Sequence, residues 1–113
     1  MAGSPLPRSV ERLMSKSGTE CLLSVITGWE IIMKPKLAIS VNDFEVGLGE
    51  MGATLLPIKF KHLNELATLP VLNDHRDPFD RMLIAQAIIE ELPIVTSDHR
   101  FADYKRVRIL WDA

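Results

Sequence analysis

Residues 75–101, HRDPFDRMLIAQAIIEELPIVTSDHRF, decide the fold because they combine a helix and a strand with an acid at the start of one and after the other. Asp77 before Pro78 predicts a helix N-cap and first helical residue, since Asp accepts from free backbone N–H groups and Pro has no N–H to leave unpaired. Asp80 then falls in the first turn, where the helix dipole favours negative charge. The start of this helix is therefore well determined.

The apolar residues of the helix recur at helical spacing, as expected for a face packed on a core. They are Phe79, Met82, Leu83, Ala87 and Ile88. Pro93 predicts that the helix ends near residues 90–91, and Ile-Val-Thr at 94–96 predicts a short buried strand. Asp98 follows that strand at its C-terminal end, where open α/β sheets place their ligands. Two acids are thus predicted to lie near one edge of a sheet.

Each acid also has a purely structural interpretation. Asp77 is typical of a cap, Asp80 of a residue that complements the helix dipole, and Asp98 of a turn residue. The residues by themselves leave both interpretations open.

Composition indicates one soluble domain spanning residues 1–113, with 47% apolar and 25% charged residues. The net charge of −2 and pI of 5.9 do not indicate a general polyanion binder, so a nucleic-acid role needs a local basic patch. Cys21 is the only cysteine and lies in an apolar run, which predicts a buried, reduced thiol. No membrane-length apolar span or signal peptide is seen, and we expect a cytoplasmic protein.

The rest of the chain alternates helix and strand signals, and residues 1–7 are expected to form a flexible arm. Helices are predicted at 9–16, 25–33 (capped by Ser24 or Thr27), 40–52 (opened by a Ser40–Asp43 capping box) and up to Leu69, and strands at 20–23, 53–56 and 107–111. This alternation predicts an α/β fold with a parallel sheet flanked by helices on both faces.

Two stretches resemble one family. DPFDRMLIAQA followed by ELPIVTSD (77–98), and SVITGWEIIMK (24–34), resemble PIN-domain proteins, particularly VapC-type toxins of bacterial toxin–antitoxin pairs. The resemblance runs from about Leu13 to Trp111. It implies an acidic site that binds Mg²⁺ or Mn²⁺ and hydrolyses RNA, in a homodimer controlled by a cognate antitoxin.

The resemblance also implies which residues form the site. Hard divalent cations prefer oxygen ligands, and neighbouring carboxylates repel one another unless a cation joins them. By position, the resemblance implies that the metal-binding and catalytic acids are Glu30, Asp80 and Asp98, with Thr96 and Ser97 beside the metal. Arg81 and Arg100 are the candidates for binding the substrate phosphate, because a guanidinium binds phosphate in two-pronged fashion.

This sequence departs from the family at its start. The family opens with a strand ending in an Asp that is the first metal ligand, whereas the only acid before Glu20 here is Glu11. That strand would be the central one, between the strands predicted at 20–23 and 94–96. A wrongly assigned start, a truncated relic, or a strand supplied by a partner or the N-terminal arm would each explain its absence.

Because one carboxylate is missing, we expect weak metal binding and little nuclease activity. The alternative is an inactive PIN remnant that binds an antitoxin or an intact toxin. A response-regulator-like domain is a third interpretation, which the pairing of the DPFDR and TSD motifs argues against.

Histidines and tryptophans carry weaker signals. His62, His75 and His99 are too dispersed for a metal motif and are predicted to be surface or helix-end residues, although His75 and His99 flank the acidic unit. Trp29 and Trp111 are predicted to be core or dimer-contact residues.

Overall fold

The computed structural model describes residues 7–111 of the chain. These residues form five α-helices, one two-stranded sheet and two 3-10 turns. In chain order they are α1 (Arg8–Ser15), β1 (Cys21–Ser24), α2 (Val25–Met33), a 3-10 turn (Pro35–Leu37), α3 (Val41–Met51), β2 (Ala53–Leu56), α4 (Phe60–Thr68), α5 (Pro78–Glu90) and a second 3-10 turn (His99–Asp103). The predicted α/β class is confirmed. Residues 1–6 of the predicted arm lie outside the described part of the chain.

The sheet pairs β1 with β2 in parallel, with Cys21 opposite Ala53 and Ser24 opposite Leu56. β1 begins one residue later than predicted, and β2 has the predicted bounds. Parallel neighbours need a crossover connection, which α2 and α3 provide here.

The strands predicted at 94–96 and 107–111 are wrong as regular strands. They are reduced to one parallel bridge between Ile94 and Ile109, held by Ile94 N–H to Arg108 O and Leu110 N–H to Ile94 O, both 2.9 Å. Pro93 has no N–H for a ladder, and Thr96 Oγ1 accepts the N–H of Asp98, which turns the chain away from strand pairing. The bridge still sets the direction in which the chain enters the Asp98 turn.

Local caps set the helix boundaries as predicted. Asp77 accepts from the N–H groups of Phe79 and Asp80 at 2.9 and 3.3 Å, and Ser24 accepts from Ile26 at 3.1 Å. The predicted capping box of Ser40 and Asp43 is present at the start of α3. Each such cap stabilises its helix by about 1 kcal/mol.

The core lies between α5 and the elements on either side of it. One cluster packs α4 and the C-terminal segment against α5 around the fully buried Ile84, and another packs Ile26 of α2 against Met82 and Ala85. Each fully buried large apolar side chain contributes about 1.5–3 kcal/mol. α5 is therefore the central helix of the molecule.

A buried polar network links α5 to the sheet. Gln86 is 1% exposed; its Oε1 accepts from Ser24 Oγ and its Nε2 donates to Pro57 O at 3.2 Å. Gln86 therefore joins the ends of β1 and β2 to the middle of α5, and its polar atoms are paired as buried polar groups require.

Several expectations about burial are corrected. His62 and His75 are 0% and 1% exposed rather than at the surface, because each pairs with a carboxylate. Cys21 is free and only partly buried, not buried as predicted. Trp29 is half-exposed and packs edge-on against Phe79 at 4.9 Å, so it is not a core residue.

Trp111 is partly buried, and His99 is exposed as predicted. Among residues 7–111, no helix has the length and apolar character needed to cross a bilayer.

Candidate functional site

Asp80 is held in place by the start of α5 and by a buried histidine. It lies in the first turn, and its side chain is 16% exposed. His75 Nε2 lies 2.9 Å from Asp80 Oδ2 and serves as donor to the ionised carboxylate. The His75 ring packs against Phe101 and Tyr104 at 5.5 and 5.8 Å between centroids, which fixes its orientation. Asp80 therefore points in a defined direction.

Asp98 begins the second 3-10 turn. Its Oδ1 accepts from the backbone N–H of Arg100 at 3.0 Å, and its own N–H donates to Thr96 Oγ1 at 3.1 Å. The guanidinium of Arg100 grips the same carboxylate, with Nε at 3.1 Å from Oδ1 and Nη2 at 2.7 Å from Oδ2. These bonds from Arg100 lower the pKa of Asp98 to about 2. Asp98 is ionised throughout the physiological pH range.

Arg100 brings the two aspartates together. The nitrogen that donates to Asp98 Oδ2 also lies 3.6 Å from Asp80 Oδ2. Carboxylates that are 18 residues apart in the sequence thus meet at one cationic nitrogen, at the N-terminus of α5 and just after the Ile94 bridge.

Glu30 belongs to the same electrostatic environment. It lies on α2, whose Trp29 packs on Phe79 at the start of α5. Burial raises the pKa of Glu30 most, and the negative charges of Asp77 and then Asp80 raise it further, against a smaller lowering by Lys34. This repulsion between like charges is what a bound cation would relieve.

The donor chemistry fits a hard divalent cation, since Glu30, Asp80 and Asp98 offer carboxylate oxygens. Within residues 7–111, however, no three His, Cys, Asp or Glu side chains lie close enough together to hold an ion. The positive charge between Asp80 and Asp98 is instead the guanidinium of Arg100. The three carboxylates are therefore of the chemical type that binds a metal, and the guanidinium of Arg100 lies between Asp80 and Asp98.

The other predicted site residues fall in different places. Thr96 supports the Asp98 backbone, and Ser97 is exposed. Arg81 donates to the carbonyls of Leu69 and Pro70 at 2.8 and 3.0 Å, so its guanidinium fastens the end of α4 to α5. Of the two arginines expected to bind phosphate, only Arg100 contacts the acids.

Sequence reasoning missed the link between His75 and Asp80. The sequence predicts His75 to be a surface or helix-end residue and Asp77 to be a helix cap, and it gives no sign that the charge of Asp77 acts on Glu30 and Arg100. The one local signal for this pair is a histidine five residues before an acid in the first turn of a helix. The signal is weak because the pairing depends on burial of the histidine, which residue spacing does not reveal.

The comparison with known families decides the assignment. The PIN domain model matches residues 1–107. The chain belongs to the PIN domain family. No curated protein and no solved structure matches the chain. PIN domains are generally nucleases that use a divalent metal.

Proposed function

We propose that this PIN domain is a VapC-like, Mg²⁺- or Mn²⁺-dependent endoribonuclease. The observation that carries the proposal is the meeting of Asp80 and Asp98 at one cationic nitrogen, with Glu30 repelled by Asp80 nearby. Four negative charges, counting Asp77, act on this small region, and Arg100 is the cation that contacts Asp80 and Asp98. Such a region attracts a divalent ion.

In this proposal Glu30, Asp80 and Asp98 would hold the metal, and a bound metal would supply an activated water molecule and offset charge on the scissile phosphate. His75 orients Asp80 by its Nε2–H donation, and Thr96 orients Asp98 through its backbone N–H. Arg100 is the residue placed to contact the phosphate, because a guanidinium binds phosphate oxygens in two-pronged fashion. No side chain has to act as a nucleophile.

The ligand set bears on the expected strength of binding. We infer a site of three carboxylates, those of Glu30, Asp80 and Asp98. We expect weak affinity for the ion and low nuclease activity, because three side-chain ligands leave much of the coordination of a hard cation to water.

Asp80→Asn tests the proposal, with Asp74→Asn as the matched control. Asp74 is an exposed acid six residues away that pairs with Arg76, and Asn tolerates its left-handed backbone (φ 62°). We expect calorimetric Mn²⁺ binding to weaken about tenfold or more in Asp80→Asn and to stay unchanged in Asp74→Asn. Residual Mn²⁺-dependent cleavage of single-stranded RNA should disappear in the same variant.

Wild-type protein that binds no Mn²⁺ would contradict the enzyme and favour the inactive remnant. Unchanged Mn²⁺ affinity in Asp80→Asn would show that the ion binds at a different place in the protein.

We also propose a homodimer that acts in the cytoplasm with a cognate antitoxin. Support comes from apolar side chains that α2 leaves exposed, including Trp29 and Met33 one turn apart. Met33→Glu should convert a dimer to a monomer in sedimentation equilibrium, because it places a charge in an apolar contact. A wild-type monomer at high concentration would rule out the dimer.

A further inference from the structure

We propose that Arg100 is a built-in competitor for the divalent cation, so that the metal binds only by displacing the guanidinium from Asp98 and Asp80. The inference rests on the proposed metal site and specifies which cation lies between Asp80 and Asp98 when no ion is bound. It adds to the phosphate role of Arg100 a role in the metal-free protein.

The contacts of Arg100 occupy both oxygens of Asp98. Oδ1 accepts from Arg100 N and Nε, and Oδ2 accepts from Nη2 at 2.7 Å and is 3.3 Å from Nε. The Asp80 oxygen nearest Arg100, Oδ2, already accepts from His75. A cation that bridges Asp80 and Asp98 would need carboxylate oxygens that the guanidinium of Arg100 already contacts.

The guanidinium is held by electrostatics and not by packing. The Arg100 side chain is 54% exposed, whereas those of Asp80 and Asp98 are 16% and 31% exposed. Ion pairs that are partly exposed are screened by solvent and salt, so a divalent ion can compete with the guanidinium for these carboxylates. The backbone N–H of Arg100 keeps its bond to Asp98 Oδ1 when the side chain leaves, so the turn itself does not have to unfold.

A contrast with Arg81 supports this assignment. Arg81 lies next to Asp80 in sequence, yet its guanidinium donates to two backbone carbonyls and it does not contact the acids. Arg76 pairs with Asp74, outside the acidic group. Within residues 7–111, Arg100 is the basic side chain that forms ion pairs with both Asp80 and Asp98.

Displacement would also change what Arg100 can bind. While it pairs with Asp98, its Nε and Nη2 donate to that carboxylate, so this edge of the guanidinium is not available to an incoming anion. If a metal replaced it at Asp98, the guanidinium would be released and could bind a phosphate in the same site. Metal binding would then strengthen phosphate binding, and phosphate binding would strengthen metal binding.

The test is Mn²⁺ affinity in the full chain, measured by isothermal titration calorimetry without RNA. We compare wild type with Arg100→Gln, Arg100→Lys and the matched control Arg76→Gln, which removes the same charge near the start of α5 without touching Asp80 or Asp98. Arg100→Gln should bind Mn²⁺ about three- to tenfold more tightly. Arg100→Lys should fall between it and wild type, because an ammonium lacks the two-pronged grip.

Each outcome decides the matter. Tighter binding in Arg100→Gln with an unchanged Arg76→Gln supports the competitor role. Wild-type binding that Arg100→Gln leaves equal or weaker overturns that role while the metal site stands. Absence of Mn²⁺ binding in both wild type and Arg100→Gln overturns the metal site and this inference together. If Arg100→Gln does not fold, equal affinities of Arg100→Lys and wild type are sufficient to reject it.

Discussion

At each end of α5 a carboxylate of the helix pairs with a buried histidine from outside it, and the two pairs differ in how completely their polar atoms are hydrogen-bonded. At the C-terminal end, His62 Nδ1 accepts the N–H of Lys59 at 2.9 Å and Nε2 lies 2.7 Å from Glu90. Since Nδ1 is an acceptor, Nε2 carries the hydrogen and donates it. At the N-terminal end, His75 Nε2 meets Asp80, but His75 Nδ1 is buried without a hydrogen-bond partner among the described residues.

The carboxylates differ in the same way. Glu90 is surrounded by His62, Lys59 and Lys61, and its pKa is lowered, chiefly by the His62 hydrogen bond. Asp80 faces one arginine and contributes to the raised pKa of Glu30. The His62–Glu90 pair therefore completes a structural network. The His75–Asp80 pair leaves a negative charge that is available to further cations.

The largest expected effect is from His62→Phe. The substitution keeps a ring in the core but leaves the Lys59 N–H without its acceptor and Glu90 without its buried donor. We expect the free energy of unfolding to fall by about 2–4 kcal/mol in urea denaturation. A loss below about 1 kcal/mol would show that the network is not structural. Mn²⁺ affinity in the folded fraction should not change.

His75→Phe, the same substitution at the other end, should cost less. It removes a nitrogen that has no partner and leaves only Asp80, which is partly exposed, without a donor. We expect a loss of about 1 kcal/mol or less, with Mn²⁺ binding about tenfold weaker because Asp80 is no longer oriented. Equal stability losses in the two variants would abolish the contrast between the pairs.

The predictions that were confirmed concern residues whose hydrogen-bond partners are near neighbours in the sequence. Asp77 and Ser40 cap helices because their N–H partners lie within three residues, a distance at which spacing is informative. The sequence also predicted that Asp80 and Asp98 lie near each other, and Arg100 contacts both of them. The sheet edge expected beside them is reduced to the bridge between Ile94 and Ile109. Their catalytic roles remain predictions.

The predictions that were wrong concern residues whose partners are far away in the sequence. The burial of His62 is made possible by Glu90, 28 residues away, and no periodicity in α4 identifies that pairing. The strand predicted at 94–96 rests on apolar character, whereas strand pairing requires a neighbouring segment. Among residues 7–111, only Ile109 forms a bridge with this stretch, at Ile94. The position of Arg100 between two acids likewise depends on α5 and the second 3-10 turn meeting in space.

The smallest expected effect is a difference of sign between Glu30→Gln and Glu90→Gln. Glu30 has a raised pKa when folded, so its ionised form opposes folding above its unfolded pKa, and Glu30→Gln should stabilise the metal-free protein at pH 7. Glu90 has a lowered pKa, so its contribution is present above the unfolded pKa and lost as pH falls through the folded value; Glu90→Gln should destabilise at pH 7. Each change should be under about 1 kcal/mol, because both carboxylates are partly solvated. Urea midpoints from about pH 7 down to about pH 4 should show both differences shrinking as the carboxylates begin to protonate. Two changes of the same sign at pH 7 would mean that the ends of α5 are electrostatically alike, and the distinction between a structural and a cation-binding pair would fail.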